Sequence, residues 1–290
     1  MVYFSALRPK QWVKNFFIFL PIVFGGKLFE PIIVFRCIAA FFLFSFTASA
    51  VYIVNDLIDI KKDKLHPIKK LRPIAAGKIS LAQAAATALT LGIISIFLSF
   101  LLDVRFGAVV LAYLLLNFIY SKFLKEVIIV DVFCVSLFFL LRIMAGSVVS
   151  GVELSHWIVF MIALLALFLG FNKRRQEIVL LAESAKDHRG VLKQYNTYFI
   201  DQISSVVTSS IVVVYMLYTV DARTVRVYGT SHLIYTIPFV YYGIFRYLYI
   251  LHDKNQEEGD PTRILLSDRK TQVNVILWLM TCIAVIYFGL

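Results

Sequence analysis

The chain of 290 residues contains 60% apolar and 16% charged residues, and its mean hydropathy is +0.81. This composition excludes a soluble globular protein and predicts a polytopic membrane protein, because several apolar runs are long enough to cross a bilayer. The formal net charge of +11 does not predict a nucleic-acid partner, since basic cytoplasmic loops and phosphate-bearing substrates explain it better. Cys37, Cys134 and Cys282 lie in apolar runs without metal-ligand spacing and indicate packing residues.

Apolar runs along the chain predict nine transmembrane helices and therefore an all-α fold in a single integral-membrane domain. A basic lead-in, residues 7–15, precedes the first run, which is short. The two longest charged loops follow the second and sixth runs. We therefore expect two four-helix halves, residues 1–125 and 126–255, with a site between them and a ninth helix at 272–289. In chain order the runs are 16–24, 31–54, 79–102, 106–120, 128–149, 154–172, 199–220, 233–251 and 273–288.

The distribution of Lys and Arg between the loops predicts the orientation of the chain in a bacterial cytoplasmic membrane. One side carries most of these residues, including the seven between Lys61 and Lys78. Because cytoplasmic loops are enriched in Lys and Arg, this asymmetry places the N-terminus in the cytoplasm, and nine spans place the C-terminus outside. The loops of the other side hold only Lys27, Arg36, Arg105, Arg223 and Arg226.

The stretch 55–78 is the strongest candidate for a functional site. Asp56, Asp59 and Asp63 follow an apolar run at offsets i, i+3 and i+7, so on a helix they share one face. Carboxylates this close repel one another unless a cation lies among them or some are protonated. With Asn55 and the basic residues that follow, they predict a magnesium site for a multiply phosphorylated substrate. A solvated loop is the alternative for the lysines alone.

Further candidates are charged or aromatic residues at or near the ends of the predicted spans. Arg142 lies inside the fifth span, where an arginine faces either a cavity or a structural ion pair. Tyr120 and Lys122 are equally compatible with an anchoring role at the membrane interface. Asp268 and Arg269 would either close over the site or pair with each other. We expect the phosphates of the substrates to be bound by Lys14, Arg72, Lys173 and Arg174.

Several sequence blocks resemble known proteins. The block NDLIDIKKD, residues 55–63, resembles the first aspartate-rich motif of the UbiA superfamily of intramembrane prenyltransferases. Four other blocks are similar, in order and spacing, to one branch of that superfamily, the decaprenyl-phosphate phosphoribosyltransferases. These blocks are RPKQWVKN (8–15), HPIKKLRPIAAG (66–77), LRIMAG (141–146) and NKRRQE (172–177), and a short SDR sequence at 267–269 accompanies them.

The resemblance implies a magnesium-dependent membrane transferase that moves 5-phosphoribosyl from phosphoribosyl diphosphate to a polyprenyl phosphate. Members that prenylate aromatic acceptors carry a second aspartate-rich motif after the sixth span, whereas this chain has Lys173, Arg174 and Glu177 there. Two cations and one carboxylate do not repeat a two-metal diphosphate site, but they suit substrates that bring more phosphate charge. The resemblance thus implies that Asn55, Asp56 and Asp59 take part in catalysis.

Two other functions remain open from the sequence. Transfer of a prenyl group from its diphosphate to an aromatic acceptor is the broader chemistry of the superfamily, and the absence of the second aspartate motif argues against it. A lipid or anion transporter would use the same basic residues. The structural feature expected of a transporter is a pair of interrupted helices, one in each half. The partners expected in either enzymatic case are the bilayer and phosphorylated substrates, and association into a homo-oligomer stays open.

Overall fold

The computed structural model describes residues 2–65, 69–181, 190–252 and 261–290, and the regular elements within these ranges are helical. The chain divides into two compact units. The first comprises Met1–Val127 and Leu141–Glu153, and the second comprises Ile128–Leu140 and Leu154–Leu290. One long helix, Val130–Ser150, therefore contributes residues to both units.

Eight long helices, named α1 to α8 here, form the body of the protein. Within the described residues, each belongs to a stretch that is long and apolar enough to cross a membrane. The seventh stretch also includes the 3₁₀ turn that precedes its helix. In order, the helices are α1 Pro31–Ile58, α2 Leu81–Leu102, α3 Val104–Lys122, α4 Val130–Ser150, α5 His156–Leu181, α6 Thr197–Val220, α7 Ile237–His252 and α8 Arg269–Phe288.

Shorter helical elements connect and flank the long helices. Those with α-helical geometry are Val2–Ala6, Leu20–Phe24, Ile60–Leu65, Ala222–Tyr228 and Pro261–Ser267. Those with 3₁₀ geometry are Pro9–Phe19, Lys69–Leu71, Leu124–Glu126, Gly190–Lys193 and His232–Thr236.

The predicted first span differs from the other eight, and the count of nine is not confirmed. Its residues belong to a 3₁₀ helix of 11 residues, Pro9–Phe19, followed by an α-helix of 5 residues, Leu20–Phe24. At about 2.0 Å per residue in the first part and about 1.5 Å in the second, the segment extends roughly 30 Å, close to the thickness of a hydrocarbon core. The orientation of the two termini stays a prediction.

Small residues bring α1 and α2 together in the first unit. Ala40, Ala48, Ala84 and Ala88 are all buried, and short side chains allow the two helices to approach closely. The Thr47 hydroxyl donates a hydrogen bond of 2.9 Å to Ser95 Oγ across this contact. This packing fixes the position of α1, which carries the acidic residues at its end, against α2.

Candidate active site

Asp56 and Asp63 lie together at the end of α1 and share an arginine. Their side chains are almost fully buried, at 4% and 3% exposure. Arg72 Nη1 donates hydrogen bonds of 3.0 Å to Asp56 Oδ1 and 2.6 Å to Asp63 Oδ2. The α1 helix ends at Ile58, and a new short helix starts at Ile60. The predicted single helical face of Asp56, Asp59 and Asp63 is therefore interrupted at Asp59, and Asp56 and Asp63 are brought together across the break by Arg72 from the basic loop that follows.

Asp59 and Asn55 have different partners, both close to the end of α3. Lys125 Nζ lies 3.2 Å from Asp59 Oδ1, and the Ser121 hydroxyl donates a 2.8 Å hydrogen bond to Asn55 Oδ1. Both Asn55 and Asp59 are only half-buried. The acidic cluster, defined as Asn55, Asp56, Asp59 and Asp63, thus has two parts. One pair is held by an arginine from the loop, and the other pair contacts residues 121–125.

Arg8 lies at this site as well, although the sequence pattern did not place it among the phosphate-binding residues. Its guanidinium contacts Asp56 Oδ1 and lies 5.2 Å from the centre of the Tyr52 ring. The backbone of Arg8 has φ 53°, a left-handed conformation that is uncommon for residues other than glycine. Such a conformation at a charged contact is typical of functional sites. The block RPKQWVKN was the available signal, because Arg8 is its first residue.

The chemistry of the acidic cluster fits Mg²⁺, the metal that the resemblance implies. Carboxylate and amide oxygens are hard ligands, and Mg²⁺ in proteins is usually bound by one or two carboxylates together with substrate phosphates. Within the described part of the chain, no group of three His, Cys, Asp or Glu side chains meets in a metal-holding arrangement. A pair of carboxylates that shares Mg²⁺ with a bound diphosphate needs no such group.

Arg142 lies within the first unit and is 3% exposed. Its Nε donates a 2.8 Å hydrogen bond to Asn15 Oδ1, and its Nη2 lies 3.4 Å from the Tyr113 hydroxyl. The guanidinium also lies over the rings of Phe44 and Tyr113, at 5.3 Å and 5.2 Å from their centres. Its neighbours are thus polar and aromatic side chains of the protein, a setting that lowers the cost of an arginine in a membrane.

The other predicted residues of the first unit lie near the ends of their helices. Lys14 lies in the 3₁₀ helix and is half-buried, as is Tyr120 in the last turn of α3. Lys122 is exposed, and its Nζ lies 5.2 Å from the centre of the Phe123 ring. This contact agrees with the anchoring role that the sequence left open for Lys122.

Arg174 in the second unit belongs to a buried network of hydrogen bonds and ion pairs. Its Nε donates a 2.6 Å hydrogen bond to Asp131 Oδ2, and its Nη1 donates one of the same length to Glu177. Asp131 is fully buried, and the Tyr195 hydroxyl donates a 2.8 Å bond to its other oxygen. Burial and then this bond raise the pKa of Tyr195, so its hydroxyl keeps the proton. Neither Asp131 nor Tyr195 was identified from the sequence.

The two neighbours of Arg174 along α5, Lys173 and Arg175, are both more exposed than Arg174. Arg175 pairs with Asp201 at 2.5 Å, and Lys173 is half-buried. Successive residues of a helix point in different directions, so one turn can hold both a buried structural arginine and a lysine of another role. Lys173 is thus the better candidate for binding a phosphate.

Asp268 and Arg269 do not lie in equivalent surroundings. Asp268 pairs with Arg246, with Nη2 2.9 Å from Oδ1, and accepts a 2.9 Å hydrogen bond from the backbone N–H of Thr271, which caps α8. The bond from Arg246 is the main reason why the pKa of Asp268 is held well below its usual range. Arg269 is exposed. Asp268 therefore pairs with Arg246 rather than with Arg269, the partner in one of the two predicted alternatives, and it caps the last helix.

Comparison with known proteins identifies the relatives of the chain. A family model described as the UbiA prenyltransferase family matches residues 16–267. A decaprenyl-phosphate phosphoribosyltransferase of Corynebacterium glutamicum is 33% identical over 288 residues, which cover 98% of this chain and 86% of that protein. A protein of the same name from Mycobacterium tuberculosis is 31% identical over 98% of this chain and 94% of its own length.

Solved structures show the same fold. A UbiA homologue from Archaeoglobus fulgidus, bound to GPP and Mg²⁺, has a TM-score of 0.72 and 18% identity over 99% of each chain. The same homologue bound to DMAPP and Mg²⁺ has a TM-score of 0.71. An all-helical fold and these full-length similarities define a multi-pass membrane transferase. The chain belongs to the UbiA prenyltransferase family, as the motif at 55–63 predicted.

Proposed function

We propose that the protein transfers the 5-phosphoribosyl group of phosphoribosyl diphosphate to a polyprenyl phosphate in the synthesis of a cell-envelope precursor. A phosphate oxygen of the lipid forms a bond to C1 of the ribose. The bond from C1 to the diphosphate breaks, and diphosphate leaves with the electron pair. The lipid phosphate is largely dianionic near neutral pH, because its second pKa is about 6, so the attack needs no general base.

The observation that carries this proposal is the similarity to curated relatives of that activity along 98% of the chain. The charges at the end of α5 support it independently. The end of α5 carries the half-buried Lys173, beside the ion-paired Arg174 and Arg175, where a repeat of the first acidic motif would place carboxylates. Phosphoribosyl diphosphate and a polyprenyl phosphate together bring three phosphate-bearing groups, and cations suit this larger negative charge.

The acidic cluster and its arginines bind the leaving diphosphate in this proposal. Asp56, Asp59 and Asp63, with Asn55, would hold Mg²⁺, which neutralises charge that develops on the diphosphate. Arg72 contacts two of these carboxylates, so its guanidinium is within reach of a phosphate bound at them. Because bonds from arginine to phosphate are often bidentate, Arg72 orients the diphosphate as well as neutralising it.

The remaining basic residues have separate roles. Lys14 and Lys173 bind phosphate charge, while Tyr120 and Lys122 contribute near the end of α3. Arg174 acts indirectly: through Asp131 and Glu177 it fixes the helix turn that carries Lys173. The protein performs little covalent chemistry, since alignment of the lipid phosphate with C1 and exclusion of water supply most of the rate.

A direct assay tests the proposed reaction. Purified protein in detergent is incubated with Mg²⁺, phosphoribosyl diphosphate labelled in the ribose, and a polyprenyl phosphate. We expect label to enter the organic-solvent fraction with release of one diphosphate per lipid, and no such transfer by the Asp56→Asn variant. A parallel reaction contains a prenyl diphosphate and an aromatic acid. Product in this second reaction alone would replace the proposal with aromatic prenyl transfer, and no product in either would remove both.

A further inference from the structure

The N-terminal segment, residues 8–24, is attached along α1 by a series of polar contacts. Near its start, the Ser49 hydroxyl donates a 2.8 Å bond to the Leu7 carbonyl, and Trp12 Nε1 donates one of 3.1 Å to Ser49 Oγ. One turn further, Asn15 Nδ2 donates a 2.8 Å bond to Ser45 Oγ. These contacts fix the register of the segment on α1, and in that register Arg8 contacts Asp56.

Two residues of the LRIMAG block hold the segment from its other side. Arg142 donates its 2.8 Å bond to the side chain of Asn15. Gly146, one helical turn later on α4, lies so close to the segment that a Cβ placed on it would be 2.0 Å from the Ile18 carbonyl oxygen. Because this oxygen belongs to the backbone, it can move only if the segment moves. Arg142 and Gly146 together fix the segment at two points.

The distance between Arg142 and the acidic cluster shows whether Arg142 can contact a phosphate bound there. Through Asn15, Arg142 is tied to Ser45, which lies 11 residues before Asp56 on the continuous helix α1. At about 1.5 Å per residue, this separation is about 16 Å along the helix axis. An arginine side chain spans less than half of that distance, so Arg142 does not reach a phosphate bound at Asp56.

We propose that Arg142 and Gly146 are positioning residues that set the place of Arg8 at the acidic cluster, acting through the N-terminal segment. This inference rests on the proposed function only for the identity of the donor substrate. The effect of Arg142 and Gly146 on the position of Arg8 does not depend on it. The role proposed for Arg142 differs from both roles that the sequence left open for it, which were to face a cavity or to form a structural ion pair. A purely structural role in packing is the competing explanation, and it predicts lower stability without a specific effect on Arg8.

The first experiment measures the position of the segment without any substrate. A nitroxide label is attached at Lys10→Cys, an exposed position, and the native cysteines are buried. We expect Gly146→Ala to increase the mobility of the label. Gly92→Ala is the matched control, because Gly92 is also helical and a Cβ there meets nothing within 4 Å. Equal spectra for the Gly146→Ala variant and the control would overturn the proposal, whichever donor the enzyme uses.

The second experiment tests whether Arg142 acts through Arg8. Arg8→Ala and Arg142→Met are each expected to lower kcat/KM for the donor by about tenfold or more, which is the effect of one lost charge-assisted bond. In the Arg8→Ala background, Arg142→Met should change kcat/KM by less than about twofold, because residues of one network are not additive. Two effects that multiply would overturn the proposal. Direct contact of Arg142 with substrate, or a general loss of folded enzyme, would produce that result.

A conservative change keeps this test informative if Arg142→Met does not fold. Asn15→Asp retains the oxygen that accepts the Arg142 bond, and its second oxygen can accept a bond from the Ser45 hydroxyl in place of the one that Asn15 Nδ2 donates, whereas Asn15→Leu removes both bonds. We expect donor kcat/KM and label mobility to stay near the native values in Asn15→Asp and to change in Asn15→Leu. If the two variants behave alike, the link through Asn15 is wrong. If the enzyme accepts only a prenyl diphosphate, the label spectra still decide the mechanical proposal while the proposed function fails.

Discussion

The ends of α1 and α5 carry the same types of residue in opposite arrangements. At the end of α1, the carboxylates Asp56 and Asp63 are buried, and their arginines, Arg8 and Arg72, come from outside the helix with 24% and 29% of their side chains exposed. At the end of α5, Arg174 belongs to the helix, and it and its partner Asp131 are both buried, at 4% and 0% side-chain exposure. We therefore expect the first pairs to exchange partners with a ligand, and the second to do so only with a large loss of stability.

This difference shows how burial separates binding residues from structural ones of identical chemistry. A partly exposed arginine keeps part of its hydration, so moving it from a carboxylate to a phosphate costs little. A fully buried pair has lost that hydration, and the removal of either member leaves an isolated charge. We therefore expect Arg72 to contact the substrate and Arg174 to have a structural role.

The largest effect on activity is expected at Asp56. Asp56→Asn removes a buried negative charge from the acidic cluster and should lower kcat at saturating Mg²⁺ by at least about a hundredfold, as loss of a group that stabilises developing charge does. The thermal unfolding temperature in detergent should stay close to that of the native protein, because the neighbouring arginines are partly hydrated. Activity within tenfold of the native value would end the assignment of Asp56 to a metal or diphosphate site.

The next prediction concerns the stability of the buried pair. Arg174→Met leaves Asp131 charged and buried, which should cost about 3–5 kcal/mol of folding free energy and greatly reduce the yield of monodisperse protein. The double variant Arg174→Met with Asp131→Leu should recover most of that yield, since well-packed apolar residues often replace buried ion pairs without loss. If Arg174→Met is as stable as the native protein but has a raised KM, the comparison of the two helix ends is wrong.

The third prediction concerns Lys173, the half-buried neighbour of Arg174 in the same helix turn. Lys173→Ala should raise KM for phosphoribosyl diphosphate roughly tenfold to a hundredfold, corresponding to about 1.5–3 kcal/mol for a lost charge-assisted contact. Stability should be unchanged. Lys270→Ala is the control, because Lys270 is an exposed lysine at the start of α8. Equal kinetics for both variants would reduce Lys173 to a charge that serves only topology.

Lys125 should have a weaker influence than Lys173. Its partner Asp59 has 35% of its side chain exposed, and ion pairs of this kind contribute about 1 kcal/mol or less. Lys125→Ala should therefore change kcat/KM by no more than about fivefold, and the difference should shrink as salt is raised. A hundredfold loss that persists in high salt would place Lys125 among the residues that bind the substrate directly.

The smallest expected effect is a pH dependence of stability from Asp268. Its pKa is lower in the folded protein than in the unfolded chain, mainly through Arg246. Its stabilising contribution is therefore complete above the unfolded pKa of about 4 and is lost as the pH falls below that value. Unfolding measured between pH 6 and pH 3 should show a shallower decline in Asp268→Asn than in the native protein. Identical slopes would contradict the role of this pair.

Much of the fold was predictable because membrane helices are specified by local composition. Each of the eight long helices overlaps one of the predicted runs, since about twenty consecutive apolar residues have few alternatives in a bilayer. The first predicted span did not form such a helix. Proline lies at position 9 and again at position 21, and much of the intervening segment adopts 3₁₀ geometry against α1. Its conformation depends on tertiary contacts that hydropathy does not measure.

Only part of the candidate site could be predicted from the sequence. Helical spacing placed Asp56 and Asp63 together, and their shared bonds to Arg72 agree with this. The pairs Arg8–Asp56, Arg174–Asp131 and Arg142–Asn15 join residues 48, 43 and 127 positions apart. No local pattern in a single sequence encodes such distances. The metal assignment and the phosphate-binding roles stay predictions.

The 3₁₀ geometry of the N-terminal segment also constrains how the protein is assembled. Its hydrogen bonds are weaker than those of an α-helix, and its polar side chains Trp12 and Asn15 find their partners on α1 and α4. A bilayer offers no water to satisfy such groups. Arg142 is synthesised 127 residues after Asn15, so the hydrogen bond between them forms only once α4 has been made. Until then, the contacts with α1 alone satisfy the polar side chains of the segment.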